Sequence, residues 1–346
     1  MSDIDIRVTG QAGRITFTRT KALNAMSYDM CMAIDAALRA WRTDDAVKII
    51  VIDAEGEKAF CAGGDIAELY ATGMKGDFGY GRTFWRDEYR TNALIFEYPK
   101  PIISFMQGFT MGGGVGIGCH GSHRVVGETS KIAMPEVGIG LVPDVGGTLM
   151  LALAPGRVGE YLGLTAGRLG PDDAIYAGFA DHFVPQENWA DLIAALETSG
   201  DATLVEQAAQ PAPEGELRDL QDDIDRHFAG EALGDILTSL QNDEGDFAAK
   251  TLKALNRNSP LSMACTVEML HRLRGAGLTV RKALDLEYRF TFRAMEKGDF
   301  LEGIRAQIID KDRNPHWQYA DQNVPSTAVS QMLQPLGTDA LTFEED

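Results

Sequence analysis

A run of glycines behind an apolar strand limits this chain more than any other feature. Pro101 to Met106 reads as a buried strand, and Gly108-Phe109-Thr110-Met111-Gly112-Gly113-Gly114-Val115-Gly116-Ile117-Gly118 follows it. Consecutive glycines let main-chain N–H groups approach a ligand with no side chain in the way. If a helix begins there, its first amides have no partner within the helix. Such a turn can receive a phosphate, or the oxyanion that develops during acyl chemistry. A tight strand-to-helix packing joint would use the same residues, so this turn alone leaves both readings open.

A second glycine turn, Phe60-Cys61-Ala62-Gly63-Gly64-Asp65, lies downstream of the apolar strand Val47 to Ile52 and opens a helix from about Ile66 to Tyr70. Two convergent amides would grip one carbonyl oxygen, and removing such a donor typically costs ~3–4 kcal/mol of barrier. The third feature is Met134-Pro135-Glu136 through Pro143-Asp144-Val145-Gly146-Gly147, an apolar and glycine frame whose only acids are Glu136 and Asp144. Acids in such a frame are costly to bury unless paired or used. The alternative is that Glu136 caps a turn and Asp144 begins one.

Around these motifs, strands alternate with helices. A hairpin joins Ile4–Thr9 to Arg14–Thr18, a helix capped by Ser27 runs to Thr43, and short strands are expected at Arg124–Val126, Lys131–Met134 and Asp181–Val184. The pattern indicates an α/β fold of βαβ-like units. No GxGxxG fingerprint or Walker A motif is present. Gly73 to Gly81 reads as a mobile stretch suited to a lid, followed by a helix over Phe84 to Tyr98. Beyond Asn188 only helices are expected. The organisation reads as a core over 1–198, a linker or surface excursion over 199–215, a helical region over 216–325 and a loosely packed tail over 326–346.

The 346 residues carry a net charge of −19, which argues against nucleic acid or an anionic membrane surface as a partner. No apolar run approaches the ~20 residues of a membrane span. The N-terminus, Met1-Ser2-Asp3-Ile4-Asp5, lacks the features of a secretory signal. Cys31, Cys61, Cys119 and Cys265 have no metal-ligand spacing and read as reduced thiols of a cytoplasmic enzyme. His120, His123, His182 and His316 lack ligand spacing too, so no metal is expected.

Taken together, Phe60 through Ile66, Gly108 through Gly114, Pro135-Glu136, and Pro143 through Gly147 resemble the crotonase (enoyl-CoA hydratase/isomerase) superfamily. The resemblance runs from about Arg14 to Val184 and includes Ala22-Leu23-Asn24-Ala25. It implies a crotonase spiral of ββα units, an acyl-CoA thioester substrate, no cofactor beyond that CoA, and an oxyanion hole formed by the amides of Gly64 and Gly113. Hydratases of the family carry two glutamates. One is matched by Glu136, but the second position, two residues past the triple glycine, is Gly116 here.

Further matches extend over Trp85-Arg86-Asp87-Glu88-Tyr89, Phe300 through Ala306 and Ile309 through Trp317, and these resemble the 3-hydroxyisobutyryl-CoA hydrolase subgroup. That resemblance implies thioester hydrolysis in valine catabolism. Glu136 would serve as nucleophile or general base, Asp144 would orient the substrate hydroxyl or assist water, and Glu88 would lie at the acyl end. Lys21, Ala22, Ala62 and Asp65 would contact CoA, with Arg19 as a further candidate for its phosphates. The family also implies trimers or hexamers built through C-terminal helices, unless the longer helical region here folds over its own active site.

Overall fold

The computed structural model describes residues 3–275 and 277–343. The last three residues of the expected tail and the first two of the N-terminal stretch lie outside these. The chain divides into two compact units that interleave along the sequence. One comprises Met1–Asp65, Arg90–Ala133 and Arg168–Arg218; the other comprises Ile66–Tyr89, Met134–Gly167 and Asp219–Asp346. The expected division near residue 198 misses this because residues 66–89 and 134–167 belong with the C-terminal helices.

All nine strands of the described residues lie in the first unit: β1 (Ile4–Thr9), β2 (Ala12–Phe17), β3 (Ile49–Ala54), β4 (Ala59–Cys61), β5 (Ile102–Met106), β6 (Phe109–Met111), β7 (His123–Val126), β8 (Lys131–Ala133) and β9 (His182–Phe183). A six-stranded sheet has the order β1-β2-β3-β5-β7-β9, and a three-stranded sheet the order β4-β6-β8. Only the β1–β2 hairpin is antiparallel. The pairs β3/β4, β5/β6 and β7/β8 each lay one strand in the large sheet and the next in the small one. This repeat is the expected spiral.

The apolar runs explain the sheet. Ile49 to Ile52 and Ile102 to Met106 are buried residue after residue, as parallel strands covered on both faces must be. Trp189, Leu192 and Leu196 of the helix Trp189–Ser199 pack into the same core as Val51, Ile103 and Phe105. The helix Tyr28–Arg42 starts where expected, with the Ser27 hydroxyl accepting from the Met30 N–H at 3.2 Å.

Three stretches differ from the sequence reading. The supposed linker carries a helix, Leu204–Ala208, whose Val205 enters that core. The supposed loose tail carries the helix Ser326–Met332, with Met332 and Leu333 buried and the Arg293 guanidinium donating to the carbonyls of Met332 and Gln334. The stretch from Gly73 to Gly81 is flanked by helices, Ile66–Gly73 and Gly79–Phe96. A Cβ on Gly73 would lie 2.7 Å from Leu301 and 2.8 Å from Met295, and one on Gly81 2.5 Å from Met295. These two glycines lie in close packing against Met295 and Leu301.

The second unit is helical, and it holds the Glu136 turn from two sides. Val137 O accepts from the Ser259 N–H, and the Ser259 hydroxyl donates to Asp299 at 2.7 Å. Gly140 adopts φ +75° with its Cα facing the Asp299 backbone. A Cβ on Gly303 would overlap the Ile139 carbonyl and lie 2.6 Å from Ile139 Cα. Gly303→Ala therefore forces backbone apart. Overpacking of this kind costs ~1–3 kcal/mol, more than the ~1 kcal/mol that alanine gains over glycine in a helix. The variant is expected to unfold at lower urea than the parent; an unchanged midpoint would contradict so close an approach.

Candidate active site

The first unit carries two glycine turns side by side. Parallel pairing of β4 with β6 aligns Cys61 with Thr110, so both strands end together. A Cβ on Gly114 would overlap the Cys61 carbonyl, and one on Gly63 would sit 3.3 Å from the Met111 carbonyl. Only glycine allows the turns this proximity, and Gly63 (φ +109°) and Gly112 (φ +49°) also need its backbone freedom. Gly113 begins the short helix Gly113–Gly118.

Around Gly64 the neighbouring groups are engaged. Gly63 O accepts from the Met26 N–H at 2.9 Å, and the Asp65 N–H donates to Met26 O at 2.8 Å. The amides of Gly64 and Gly113 have no backbone acceptor among the described residues. Both expected oxyanion donors are thus available, on adjoining turns of one unit.

The residues expected along CoA lie in that same unit. Lys21 is exposed and lines a surface cavity of about 350 Å³ together with Thr20, Asn24 and Lys58. Ala22 and Ala62 are half-buried, and the Ala62 N–H donates to Leu23 O at 3.1 Å. Asp65 pairs with Arg19 at 2.8 Å, and Arg19 also lies 3.5 Å from Asp3. Arg19 therefore staples two loops, which weakens its candidacy for a CoA phosphate; Lys21 keeps it. His120 packs its ring on Phe96, while His123 and His182 stack at 6.3 Å. No group of three or more potential metal ligands occurs among the described residues.

The second unit carries the acids. Glu88, Glu136 and Asp144 are 3%, 4% and 4% exposed, so the sequence-derived trio is buried together. Burial pushes the Glu136 carboxyl well above the usual range, and the neighbouring charges of Asp144, Glu287 and Glu88 add to the push. Glu88 is raised in the same way, by burial first and Asp144 second. Asp144 is pushed up to about 7 by burial, against the hydroxyl of Tyr89, which donates to it at 2.7 Å and favours its charged form. One oxygen each of Glu88 and Glu136 is buried without a hydrogen-bond partner. In a folded protein such atoms need an explanation, and a reacting group is one.

Two neighbours escaped the sequence reading. Tyr89 appeared only as part of a matching motif, yet it is fully buried against Asp144. Glu287, on the helix Val280–Lys297, is also fully buried. It accepts from the N–H groups of Gly146 and Thr148 at 2.8 and 3.0 Å and from the Thr148 hydroxyl. Burial raises it to about 8. Its helix is lined with charges, so nothing local in the sequence separates Glu287 from a solvated acid.

The profile described as enoyl-CoA hydratase/isomerase matches residues 12–333. A relative named 3-hydroxyisobutyryl-CoA hydrolase, mitochondrial, from Gallus gallus is 37% identical over 98% of this chain and 91% of its own length. A solved structure called an enoyl-CoA hydratase, from Rhodobacter sphaeroides 2.4.1, is 59% identical with a TM-score of 0.95, covering 99% of this chain and all of that one. Another, called a carnitinyl-CoA dehydratase, from Mycobacterium thermoresistibile, is 36% identical with a TM-score of 0.94 over the whole of both chains. A match of this extent, over a spiral of paired strands with two adjoining glycine turns, means that the chain belongs to the enoyl-CoA hydratase/isomerase family and has the crotonase fold.

Proposed function

We propose that this protein hydrolyses an acyl-CoA thioester, 3-hydroxyisobutyryl-CoA, to 3-hydroxyisobutyrate and CoA. The observation that carries the reading is the acid set: Glu136 is buried with a bare oxygen beside Asp144 and Glu88, while position 116, where the family's hydratases keep a second glutamate, is glycine. The name of the Gallus gallus relative supports the same reaction.

In this proposal the amides of Gly64 and Gly113 receive the thioester oxygen and stabilise the charge that develops on it. Glu136 then acts in one of two ways. As a carboxylate it attacks the carbonyl carbon, the C–S bond breaks, CoA leaves as its thiolate, and water hydrolyses the resulting anhydride. As a base it takes a proton from water, whose oxygen attacks directly. Asp144 orients the substrate hydroxyl or assists the water, and Glu88 meets the acyl end. Lys21, Ala22, Ala62 and Asp65 are the proposed CoA contacts. The reaction so written needs no cofactor or metal beyond the CoA that arrives with the substrate.

The finer assignments belong to the same proposal. A hydrolase of this substrate serves valine catabolism. The cytoplasm is the proposed compartment, supported by four buried cysteines that form no disulfide, although the Gallus gallus relative is named mitochondrial; fractionation decides. No helix of the described residues is long and apolar enough to cross a membrane. Trimers or hexamers remain proposed assemblies, to be checked by sedimentation. That the helix Val280–Lys297 holds the Asp144 turn through Glu287 supports a C-terminal region built around its own acids.

Alkene hydration is the second reading, favoured by the name of the 59% identical structure. Incubation with a panel of acyl-CoA thioesters and a thiol-reactive dye separates the two. Hydrolysis is expected to release free CoA, with 3-hydroxyisobutyryl-CoA the best substrate. Turnover of crotonyl-CoA with no thiol appearing would support hydration instead. Glu136→Gln is expected to lower CoA release by roughly 10²–10⁴-fold. Binding unchanged by that substitution, with no turnover in either form, would mark a non-catalytic member of the fold. Single turnover in oxygen-18 water distinguishes the two roles of Glu136, because only the anhydride route leaves label in its side chain.

The pH profile supplies a further prediction. A carboxyl raised to about 7 is ionised only above that pH, so activity that needs the Asp144 carboxylate is lost as pH falls through neutrality. Tyr89→Phe removes the hydroxyl that holds Asp144 down. The acid limb of kcat/KM is then expected to move to higher pH, and a limb that stays in place would argue against Asp144 as the titrating group.

A further inference from the structure

We propose that Glu287 is a positioning residue that aims Asp144: its buried carboxylate pins the amides of Gly146 and Thr148 and so locks the turn on which Asp144 sits. The inference rests on the reading of Asp144 given above and extends it to a residue far away in sequence.

The turn is unusual in its backbone. Val145 has φ +54° and Gly146 has φ +82°, two successive residues in the left-handed region. Glycine adopts that region freely, but a β-branched residue such as valine is an outlier there. A strained conformation persists only where its surroundings over-determine it. Here Asp144 O accepts from the Gly147 N–H at 2.7 Å, and Glu287 takes the amides of Gly146 and Thr148. Gly146 is the N-cap of the helix Gly147–Leu153 and has no side chain to cap it, so Glu287 supplies those acceptors from another helix.

The same helix reaches the other end of Asp144. Thr291, one turn beyond Glu287, lies 3.4 Å from the Tyr89 hydroxyl, and that hydroxyl donates to the Asp144 carboxylate at 2.7 Å. One face of Val280–Lys297 thus holds the turn that follows Asp144 through the amides of Gly146 and Thr148, and reaches the Asp144 carboxylate by way of Tyr89. Displacement of a catalytic group by about 1 Å can cost ~10²-fold in rate. Release of the Glu287 clamp allows Val145 to relax toward negative φ and swings Asp144 with it.

Glu287→Gln, Thr148→Val, Asp144→Asn and the double variant Glu287→Gln/Asp144→Asn test this, with kcat and KM for 3-hydroxyisobutyryl-CoA as readout and circular dichroism as the check on folding. The glutamine substitution keeps the length of the side chain but turns an amide NH₂ toward one of the donors. Glu287→Gln is expected to lower kcat by ~100-fold while KM stays near the parent value, the pattern of an interaction that matters in the transition state. In the Asp144→Asn background the same change is expected to cost nothing more, since a clamp on an absent carboxylate has nothing to aim.

If Glu287→Gln does not fold, Thr148→Val carries the test. It leaves the carboxylate with both amide donors and removes only the hydroxyl, so a smaller loss of kcat in the same direction is expected. A folded Glu287→Gln enzyme with parent kcat overturns the proposal. So do losses that multiply in the double variant, which would make Glu287 a cap for a helix and nothing else. Full activity of Asp144→Asn alone is a different failure: it removes the reading of Asp144 itself, and with it any role for a clamp.

Discussion

Four carboxylates taken out of water set the terms for the helical unit. An isolated carboxylate in a low-dielectric interior costs several kcal/mol even after relaxation, and proteins normally meet that cost with cations. Glu160 shows the ordinary solution in this same unit. It is fully buried, and the guanidinium groups of Arg157 and Arg274 lie 2.9 and 2.6 Å from its two oxygens. Glu88, Glu136, Asp144 and Glu287 have no such partner among the described residues; they receive hydroxyl and amide donors at most, and one oxygen of each glutamate of the expected trio receives none. Asp299, also buried in this unit, is likewise met by the Ser259 hydroxyl and the Gln318 amide and not by a cation, so a missing counter-cation is shared by acids that hold structure and by the expected trio. Burial without a counter-cation keeps a carboxyl near the point where it can gain or lose a proton.

The sheet-bearing unit shows the converse arrangement, main-chain amides left without a backbone acceptor at turns made of glycine. Close approach of the Gly114 position to the Cys61 carbonyl is possible only because residue 114 carries no Cβ. Parallel pairing of β4 with β6 brings the two turns into line, and the loop carrying Met26 engages the groups on either side of Gly64. The Gly64 amide is left without a backbone acceptor while Gly63 O and the Asp65 N–H on either side of it are both engaged by Met26. Its availability follows from topology, so it does not depend on a particular side chain that a substitution could remove.

Much of this was legible because glycine and acid stand out against an apolar frame. Gly63-Gly64, Gly112-Gly113-Gly114 and the pair Glu136 and Asp144 all break the local pattern at points that matter. Glu287 did not, because it sits among Arg281, Lys282, Asp285 and Arg289 on an amphipathic helix, and only tertiary packing turns one of those charges inward. Glycine itself is ambiguous. Gly73 and Gly81 suggested mobility, but the same missing Cβ also lets helices touch Met295 and Leu301, and a sequence does not say which use is made of it. The interleaving of the two units was invisible for a related reason: residues 66–89 and 134–167 look like parts of a continuous βα succession, yet they group with the helices beyond Asp219. Val205 and Met332 were lost in stretches whose average composition reads as loop, since a single buried apolar residue per turn is enough to anchor a short helix.

The disagreement between the names of similar proteins, hydrolase for one and hydratase or dehydratase for others, can be weighed on chemical grounds. All of these reactions gain from a polarised thioester oxygen, so the two glycine amides do not discriminate among them. The difference lies in what happens to the carbon skeleton. Hydration needs a water deprotonated as its oxygen bonds one alkene carbon and a proton delivered to the other, which in the family's hydratases engages a pair of glutamates. Hydrolysis needs a nucleophile at the carbonyl carbon and a way to carry off the CoA thiolate. At position 116 this chain places a glycine, buried within a helix where a glutamate would have to be accommodated. Its remaining acids are gathered instead on the unit that carries Glu136, with Asp144 held by Tyr89 and Glu88 beside it. A glutamate at 136 with a neighbouring aspartate, and no glutamate at 116, fits attack on the carbonyl better than water addition across a double bond, and identity at 59% to a protein called a hydratase does not by itself weigh against that acid set.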